Sequence, residues 1–290
     1  MMNRLQSWEW TSRAERHAQR ATETLAAARD RKTRGVAHPI EDFLFDYYPY
    51  PFSLLENWHP GFGWELGYEG DELPKPFSAR DYALEDGWIR IAPEKMPGKE
   101  AERLKWILNL LECTQNRAPI FSCHGMHEWA MVYGMHEIRH AGTAPLRLSA
   151  AEIRKVVEHR PLMCTHHDAF RFFSNDAKPF NRFAPSIHKR ELLEQPGCVH
   201  ANMDLYKWAA KAMPWIGTER LFDCFELARD LRELDMRASP YDLSAWGRAA
   251  ICIETEQGRR EYEEMQRDLA ERAKPLRKEL VASIRQVLTA

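Results

Sequence analysis

The chain has 290 residues, of which 44% are hydrophobic and 29% charged, so it can bury a sizeable core and is neither disordered nor fibrous. Its 41 Lys and Arg residues nearly balance 43 Asp and Glu residues, and the formal charge of −2 excludes the overall basic field typical of nucleic-acid-binding proteins. The sequence contains no run of 18 apolar residues and no apolar segment near its start. We therefore expect a cytoplasmic protein with free cysteines and no membrane partner.

The first predicted element is a helix on the protein surface. Residues 9–32 are rich in Ala, Arg and Glu, and Gly35 and Pro39 end this helix. The next stretch, 38–71, is dense in aromatic residues and is broken by Pro and Gly in its later part. It predicts a helix over 40–48, followed by an ordered loop that is packed by its own rings.

The middle of the chain alternates short strands with helices. Residues 88–92 alternate as a strand, and 98–113 show the apolar spacing of a helix that packs on the core. Residues 146–148 indicate a second short strand. The segment 149–159 opens with a Ser-x-x-Glu capping box and predicts a helix. Residues 160–173 are typical of a strand that runs into a polar turn.

From residue 202 onward the pattern is helical almost to the end. Thr218 is the expected cap of one helix, and Pro275 separates the last two. The predicted helices cover 205–212, 219–237, 243–274 and 276–288. We therefore expect a single globular domain that is mainly α-helical with a few short strands, of the α+β class. Within it, 1–37 form the surface helix, 38–243 the core with a histidine-rich site, and 244–290 the C-terminal helices packed on the same domain.

Histidine is unevenly distributed, because nine of the twelve lie between His124 and His200. Three segments of this region place a cysteine one or two positions before a histidine, with a carboxylate soon after. Apolar residues precede each cysteine, so each segment delivers its polar groups at the edge of the core. If the three edges meet, their imidazoles and carboxylates suit proton transfer near neutral pH or metal ligation. The segments are Cys123-His124 with His127 and Glu128, Cys164 with His166, His167 and Asp168, and Cys198 with His200, Asn202 and Asp204.

Other arrangements of the same residue types stay open. Residues 136–140 match HExxH, the zinc-protease motif, and 56–59 and 137–140 are two copies of ExxH, the unit that di-iron bundles use in pairs. A cysteine nucleophile and separate structural histidines are further alternatives. A mononuclear site for Fe²⁺ or Zn²⁺ would draw on a carboxylate and on His124, His127, His166 and His200.

Two more features carry polar or aromatic groups. On the predicted helix 219–237, four carboxylates recur at helical spacing, which is typical of a solvated face paired with arginines. The alternative is that Glu226 or Asp230 faces inward as an acid or a ligand. The aromatic loop over 43–64 either belongs to the core or stacks a planar substrate, with Tyr48 and Trp58 as the stacking rings.

Six segments together form a distinctive set of motifs, which are HPIEDFLF at 38–45, WHPGFG at 58–63, GMHEWAM at 125–131, THHDAFRFF at 165–173, QPGCVHANMDLYKW at 195–208 and ELDMRASPYD at 233–242. Over roughly 38–243, the chain resembles a bacterial family commonly labelled 3-methyladenine DNA glycosylase. It lacks the helix-hairpin-helix loop and the terminal Cys and His pairs of other glycosylases that carry this activity.

The resemblance implies hydrolysis of the N-glycosidic bond to a damaged purine, as in base-excision repair. Because a cationic methylated base already leaves easily, such an enzyme needs an aromatic slot, a carboxylate that stabilises the developing sugar cation or activates water, and modest acid catalysis. With a net charge of −2, a nucleoside or a small modified nucleotide is an alternative substrate to alkylated DNA. The candidates are Asp168, Asp204 and Glu128 for the carboxylate, His166 and His200 for proton transfer, Trp58 and Tyr48 for stacking, and Arg171 and Asn202 for substrate binding.

Two other classes of function remain alternatives. A metal-dependent enzyme would hold Fe²⁺ or Zn²⁺ on His127, His166, His200 and a carboxylate and act on a small molecule. A non-catalytic binding module would keep its function without His166 or Asp168. The distances between the histidines in the fold separate these readings.

Overall fold

Four short strands form one small sheet in the computed structural model, which describes residues 2–134 and 144–290. The strands are β1 (Asn3–Leu5), β2 (Trp64–Gly67), β3 (Tyr82–Glu85) and β4 (Trp88–Ile91). Their order is β1-β2-β4-β3, with β1 and β2 parallel and the other pairs antiparallel. Ile89 lies opposite Leu66 on one side and Leu84 on the other, so an apolar row crosses the sheet.

Helices make up most of the rest of the described chain. Those of the N-terminal half are α1 (Ser7–Arg34), α2 (Phe43–Tyr47), α3 (Phe52–Glu56), α4 (Gly98–Gln115) and α5 (Met126–Val132). Those of the C-terminal half are α6 (Ala150–Glu158), α7 (His167–Phe170), α8 (Arg190–Leu193), α9 (Val199–Lys211), α10 (Thr218–Arg237) and α11 (Glu256–Leu288). The protein is a single mainly helical domain of the α+β class, as predicted.

Helices α9 and α10 pack along each other at the centre of the molecule. Tyr206 of α9 contacts Phe225 of α10, with ring centroids 5.2 Å apart. Almost every residue of α9 is buried, including three polar ones, His200, Asn202 and Asp204. A helix that is buried on all sides leaves its polar side chains no contact with water, so these groups depend on partners inside the protein.

Helix α11 packs against α4, α9 and α10. The predicted break at Pro275 is wrong, because the helix continues through it. Proline removes one backbone hydrogen bond, but Ala273 and Arg277 on either side are buried, so packing holds both halves of the helix in line. The predicted start at residue 243 is wrong too, since the helix begins only after the cap residue Thr255.

Two predicted strands are also absent from the described chain. Over 146–148 the backbone makes a single bridge to Tyr241, and over 160–173 a single bridge to Asn181. The second segment then continues into α7 instead of a longer strand. Apolar residues in both segments face the core without a neighbouring strand long enough to form a ladder.

Several predicted elements are confirmed, among them β4, α4, α10 and the capping box that opens α6. The helix α1 is present, but it is more than a surface element, because it buries His17, Ala21 and Leu25. Its Trp10 also donates a hydrogen bond from Nε1 to the carbonyl oxygen of Gly67, at 2.9 Å. The division into 1–37, 38–243 and 244–290 stays a prediction. No helix in the described ranges is both long and apolar enough to cross a bilayer.

Candidate functional site

The three Cys–His segments meet in space. Cys123, Cys164 and Cys198 line one small internal cavity of about 20 Å³, together with His127 and His200. This volume holds about one water molecule. The expectation that the three edges converge is therefore met by the fold, although the cysteines face a cavity too small for a substrate.

A tight turn leads into α5 and separates His124 from the other histidines. His124 and Gly125 have φ angles of 47° and 68°, in the left-handed region. A Cβ at Gly125 would lie 3.2 Å from the Cβ of Ala238, so the turn requires glycine there. The His124 side chain instead reaches α11, where its Nε2 lies 3.6 Å from Oε2 of Glu263. The prediction that His124 is a metal ligand is therefore corrected, because its side chain contacts α11 and not the other histidines.

Two imidazoles and a carboxylate form what we call the His127 cluster, made of His127, His200 and Asp235. They come from α5, α9 and α10, and all three are buried. The imidazole of His127 donates a hydrogen bond from Nε2 to Oδ2 of Asp235 at 2.9 Å. The rings of His127 and His200 meet edge to face, with centroids 4.4 Å apart.

Burial and charge act in opposite directions on the two imidazoles of this cluster. Burial disfavours the charge of His127, but the Asp235 carboxylate outweighs it and raises the pKa of His127 well above its ordinary value. Burial, and after it the neighbouring His127, lower the pKa of His200 to about 3. His200 is therefore neutral at physiological pH, with a lone pair on one ring nitrogen.

Not every polar atom of the His127 cluster has a hydrogen-bond partner among the described residues. Oδ1 of Asp235 is buried without a hydrogen-bond partner among the described residues. Within the same residues, the His200 ring makes no hydrogen bond, and it packs against the rings of His127 and His166. The nearest guanidinium, that of Arg232, donates its hydrogen bond to Glu128 at 3.0 Å and stays 3.7 Å from Asp235.

A second group, the His166 cluster of His166, Asp168 and Asp204, lies on the other side of His200. The rings of His166 and His200 have centroids 5.5 Å apart. His166 Nε2 lies 3.4 Å from Oδ2 of Asp204, and Tyr48 donates a hydrogen bond to Oδ1 of the same carboxylate at 2.6 Å.

Two cations neutralise the carboxylates of the His166 cluster. Lys207 donates to Asp168 at 2.8 Å and to Asp204 at 3.2 Å. Arg190 donates to Asp204 at 2.9 Å and lies 3.5 Å from Asp168. Burial opposes the charge of Asp204, but His166, Lys207 and Arg190 outweigh it and hold the pKa of its carboxyl far below the ordinary value. The pKa of Asp168 is lowered in the same way, chiefly by Lys207 against the effect of burial.

A large pocket of about 650 Å³ opens beside both clusters. Glu128 and His200 reach it from the side of the His127 cluster, and Asp168 from the side of the His166 cluster. The rings that line it are Phe43, Tyr47, Phe172, Phe173 and Tyr241, and its cationic side chains are Arg171, Lys178 and Arg232.

The predicted site residues divide into three groups. Glu128, Asp168, Arg171 and His200 line the large pocket. His127, His166 and Asp204 lie behind its wall in the two clusters. The predicted roles of the remaining four candidates are corrected, because none of them lines this pocket. His124 contacts α11, and Tyr48, Trp58 and Asn202 are buried in the core.

The core positions of these corrected residues have clear physical reasons. The Trp58 ring stacks on Trp10, with centroids 6.4 Å apart, and Tyr48 is held by Asp204. Asn202 donates a hydrogen bond to the carbonyl oxygen of Pro196 and accepts one from buried Arg277. The rings that line the large pocket come instead from α2, from the segment after Asp168 and from Tyr241.

The acidic stripe on α10 is a solvated face, as its spacing predicts. Arg20 of α1 donates hydrogen bonds to both Asp223 and Glu226, and Arg272 of α11 donates one to Asp230. The alternative of an inward-facing Glu226 or Asp230 is wrong. The carboxylate that does face inward is Asp235, which lies on the apolar face of α10 four residues after Leu231 and three before Ala238, so its position in that stripe is the sequence signal for it.

The other motifs fare differently. Residues 135–143, which hold HExxH and the second ExxH copy, lie outside the described residues. In the first ExxH copy, Glu56 forms an ion pair with Arg29, and the His59 ring is hydrogen-bonded to the hydroxyl of Tyr82. Both side chains therefore have structural partners. Burial raises the pKa of the Cys164 thiol well above its ordinary value, and it raises the pKa of Cys198 to about 12. Both thiols therefore stay protonated and act as small apolar side chains.

No protein-family model, curated protein or solved structure matches the chain. The resemblance to the glycosylase family therefore stays a prediction, and functional inference rests on the two clusters and the large pocket.

Proposed function

We propose that the protein is a cytoplasmic hydrolase that cleaves the N-glycosidic bond of a modified purine in the large pocket. The observation that carries this proposal is an aromatic-lined pocket with an ionised carboxylate, Asp168, on its wall. This combination supplies the two things that the reaction needs most, namely a slot for a planar base and a negative charge near the sugar.

The size and lining of the pocket suit a nucleobase with its sugar. A volume of about 650 Å³ lies within the range of small-molecule sites, which is roughly 300–1,000 Å³. Phe43 and Tyr47 stack on each other with centroids 5.1 Å apart, and Phe172 lies 6.5 Å from Tyr47. Aromatic walls of this kind hold an unpaired base by stacking.

Asp168 has the electrostatic environment required of the stabilising carboxylate. Its Oδ2 accepts a hydrogen bond from Lys207, which keeps the group ionised, while its Oδ1 lies 3.9 Å from Nε of Arg171 and accepts no hydrogen bond among the described residues. Oδ1 is thus the oxygen available to a developing oxocarbenium ion or to an attacking water. Glu128, fixed by Arg232, offers a second carboxylate on the same pocket.

Charge favours a small substrate over duplex DNA. The chain carries a formal charge of −2, whereas duplex binding depends on many phosphate contacts by Lys and Arg. At the pocket itself, Arg171, Lys178 and Arg232 provide positive charge for one or two phosphates. We therefore place a modified purine nucleoside or nucleotide first, and alkylated DNA second.

Release of free base tests the proposal. Methylated purine nucleosides, nucleotides and methylated DNA would each be incubated with the protein, and the free base quantified by chromatography and mass spectrometry. We expect Asp168→Asn to lower the rate by roughly 10²- to 10³-fold, since it removes a charge that stabilises the transition state. The matched control is Asp268→Asn, an exposed position on α11. An absence of base release from all three substrates, or an unchanged rate for Asp168→Asn, would contradict the proposal.

A metal-dependent enzyme acting on a small molecule is the second candidate, and the His127 cluster is the observation that favours it. A chelator separates the two candidates. Base release that persists in excess EDTA fits the first, whereas an activity lost in EDTA and restored by Zn²⁺ or Fe²⁺ fits the second.

A further inference from the structure

The His127 cluster holds three side chains of the types that bind divalent transition metals. One ligand atom each from His127, His200 and Asp235 lies within 4.8 Å of the other two. Ligand atoms around a metal with bonds of about 2.0–2.2 Å are spaced by roughly 3–3.5 Å, so small side-chain rotations suffice to close the set. The closest pair, His127 Nε2 and Asp235 Oδ2, is already 2.9 Å apart.

Three different helices fix the cluster, which makes its spacing a property of the fold. His127 lies at the start of α5, His200 at the start of α9 and Asp235 near the end of α10. The three residues are 3%, 9% and 0% exposed to solvent, respectively. Sites built on packed helices are preorganised, because the ligands do not have to be collected from mobile loops.

A buried carboxylate oxygen without a partner points to a ligand at this position. Oδ1 of Asp235 has no hydrogen-bond partner among the described residues, and the neighbouring His200 ring, which makes no hydrogen bond among them, reaches the large pocket. Leaving such a group unsatisfied is costly, so a native fold retains it where something else binds it. A cation bound between the carboxylate and the two imidazoles satisfies these atoms together.

The neighbouring His166 cluster also offers three ligand atoms, and Nε2 of His166 is likewise buried without a hydrogen-bond partner among the described residues, but its carboxylates make it the less suitable of the two groups for a metal. Lys207 and Arg190 already supply the positive charge for Asp168 and Asp204, and a metal would have to displace them. At Asp235 neither a lysine nor an arginine donates a hydrogen bond within the described chain, because Arg232 donates to Glu128 and lies 3.7 Å away; the one donor is His127, itself a member of the cluster. A metal ion at Asp235 would therefore displace only the His127 proton, and no lysine or arginine.

We infer that His127, His200 and Asp235 form a binding site for one divalent first-row transition metal, Zn²⁺ or Fe²⁺. Two imidazoles and one carboxylate suit both ions and leave coordination positions for water or substrate. His200 also lines the large pocket, so the site borders the space where a substrate would bind. The inference does not rest on the proposed hydrolysis, because it concerns equilibrium metal binding.

Metal binding can be measured directly on the full chain without a histidine tag. Metal content after purification would be determined by elemental analysis. Protein stripped with chelator would then be titrated with Zn²⁺, and anaerobically with Fe²⁺, against a competing chromophoric chelator. We expect about one equivalent of metal, and a rise in the melting temperature of the stripped protein when metal is added.

Variants assign the metal to these ligands. We expect Asp235→Asn and His200→Gln to lower affinity by more than the roughly 10- to 100-fold that loss of an outer-shell partner costs. His200→Gln is the safer of the two for folding, since the ring makes no hydrogen bond within the described chain. The matched control is His124→Asn, which keeps a residue that tolerates positive φ and should bind metal as the wild type does.

Three outcomes would overturn the inference. The first is a metal content far below one equivalent both as purified and after titration. The second is unchanged affinity in a folded His200→Gln variant, as judged by circular dichroism. The third is loss of binding in His124→Asn. Base release without any metal binding would leave the proposed hydrolase intact while removing this site, so the two failures are distinguishable.

Discussion

The two histidine clusters are neighbours with opposite electrostatic designs. In the His166 cluster, Asp204 accepts hydrogen bonds from Tyr48, Arg190 and Lys207. In the His127 cluster, Asp235 accepts one hydrogen bond, from His127, and its other oxygen has no partner among the described residues. Both carboxylates are buried to the same degree. The difference between them therefore lies in how many partners each has and not in solvent access.

This contrast separates a structural role from a binding role. A buried ion network whose carboxylates are bound by cations fixes the geometry of the elements that carry it, and here the network of Asp168 and Asp204 holds α7, α8 and α9 together around the pocket wall. A buried group with unused capacity is retained where a ligand completes it. The same residue types thus form a scaffold in one place and a candidate ligand set in the other.

Removing one carboxylate from each cluster should have unequal effects on stability. We expect Asp204→Asn to lower the free energy of unfolding by about 3–5 kcal/mol, because it removes the buried carboxylate that accepts hydrogen bonds from Tyr48, Arg190 and Lys207. Asp235→Asn in metal-free protein should cost less, about 1.5–3 kcal/mol, since one charge-assisted hydrogen bond, that from His127, is affected. Urea unfolding measures both values. Equal losses would break the comparison between the clusters.

The phenylalanine rings of the large pocket take no part in the hydrogen bonds of either cluster. They should therefore affect ligand binding more than folding. Phe172 is half-buried and lines the pocket. We expect Phe172→Ala to weaken binding of a modified purine such as 3-methyladenine by about 1–3 kcal/mol, or roughly 5- to 150-fold in Kd. Calorimetry provides the measurement, and Phe180→Ala, which alters an exposed ring outside the pocket lining, is the matched control. An equal effect in both variants would argue against stacking in this pocket.

Much of this organisation is readable from local sequence pattern. Ser149 and Glu152 form the capping box that predicts the start of α6. The shared composition of the three Cys–His segments predicts that they meet at the edge of the core, and their cysteines line one cavity. Those signals are local, or depend on one class of side chain recurring in a few places. The fold class follows from the same patterns, because helical periodicity dominates the C-terminal half.

Partner identities could not be read in the same way. Arg190 and Tyr48 lie far from Asp204 in sequence or on other elements, so nothing near Asp204 shows that it is neutralised. The continuity of α11 through Pro275 depends on packing against other helices, which outweighs the local cost of proline. Trp58 and Tyr48 read as stacking candidates because aromatic density does not distinguish a core ring from a pocket ring.

The ionisation of Asp204 in the His166 cluster should make the free energy of unfolding depend on pH in acid. The pKa of Asp204 is lowered in the folded state, so its stabilisation is fully present above the ordinary carboxyl pKa and is lost as the pH falls through the folded value. The free energy of unfolding should therefore decrease on acidification from about pH 5. We expect Asp204→Asn to flatten this dependence by up to about 1.4 kcal/mol per pH unit, with part of the slope kept by Asp168. Parallel curves for the variant and the wild type would show that Asp204 titrates normally.

The smallest effect is expected at His124, the histidine that belongs to neither cluster. Its contact with Glu263 is partly exposed, and surface ion pairs of this kind contribute little. Asparagine tolerates the left-handed backbone at this position, whereas most other residues would add strain there. We expect His124→Asn to change the free energy of unfolding by no more than about 0.5 kcal/mol in urea. A loss of several kcal/mol would mean that the turn before α5, and not the packing of α5, α9 and α10, holds His127 in place. The distinction between the two clusters would then depend on this turn as much as on their partners.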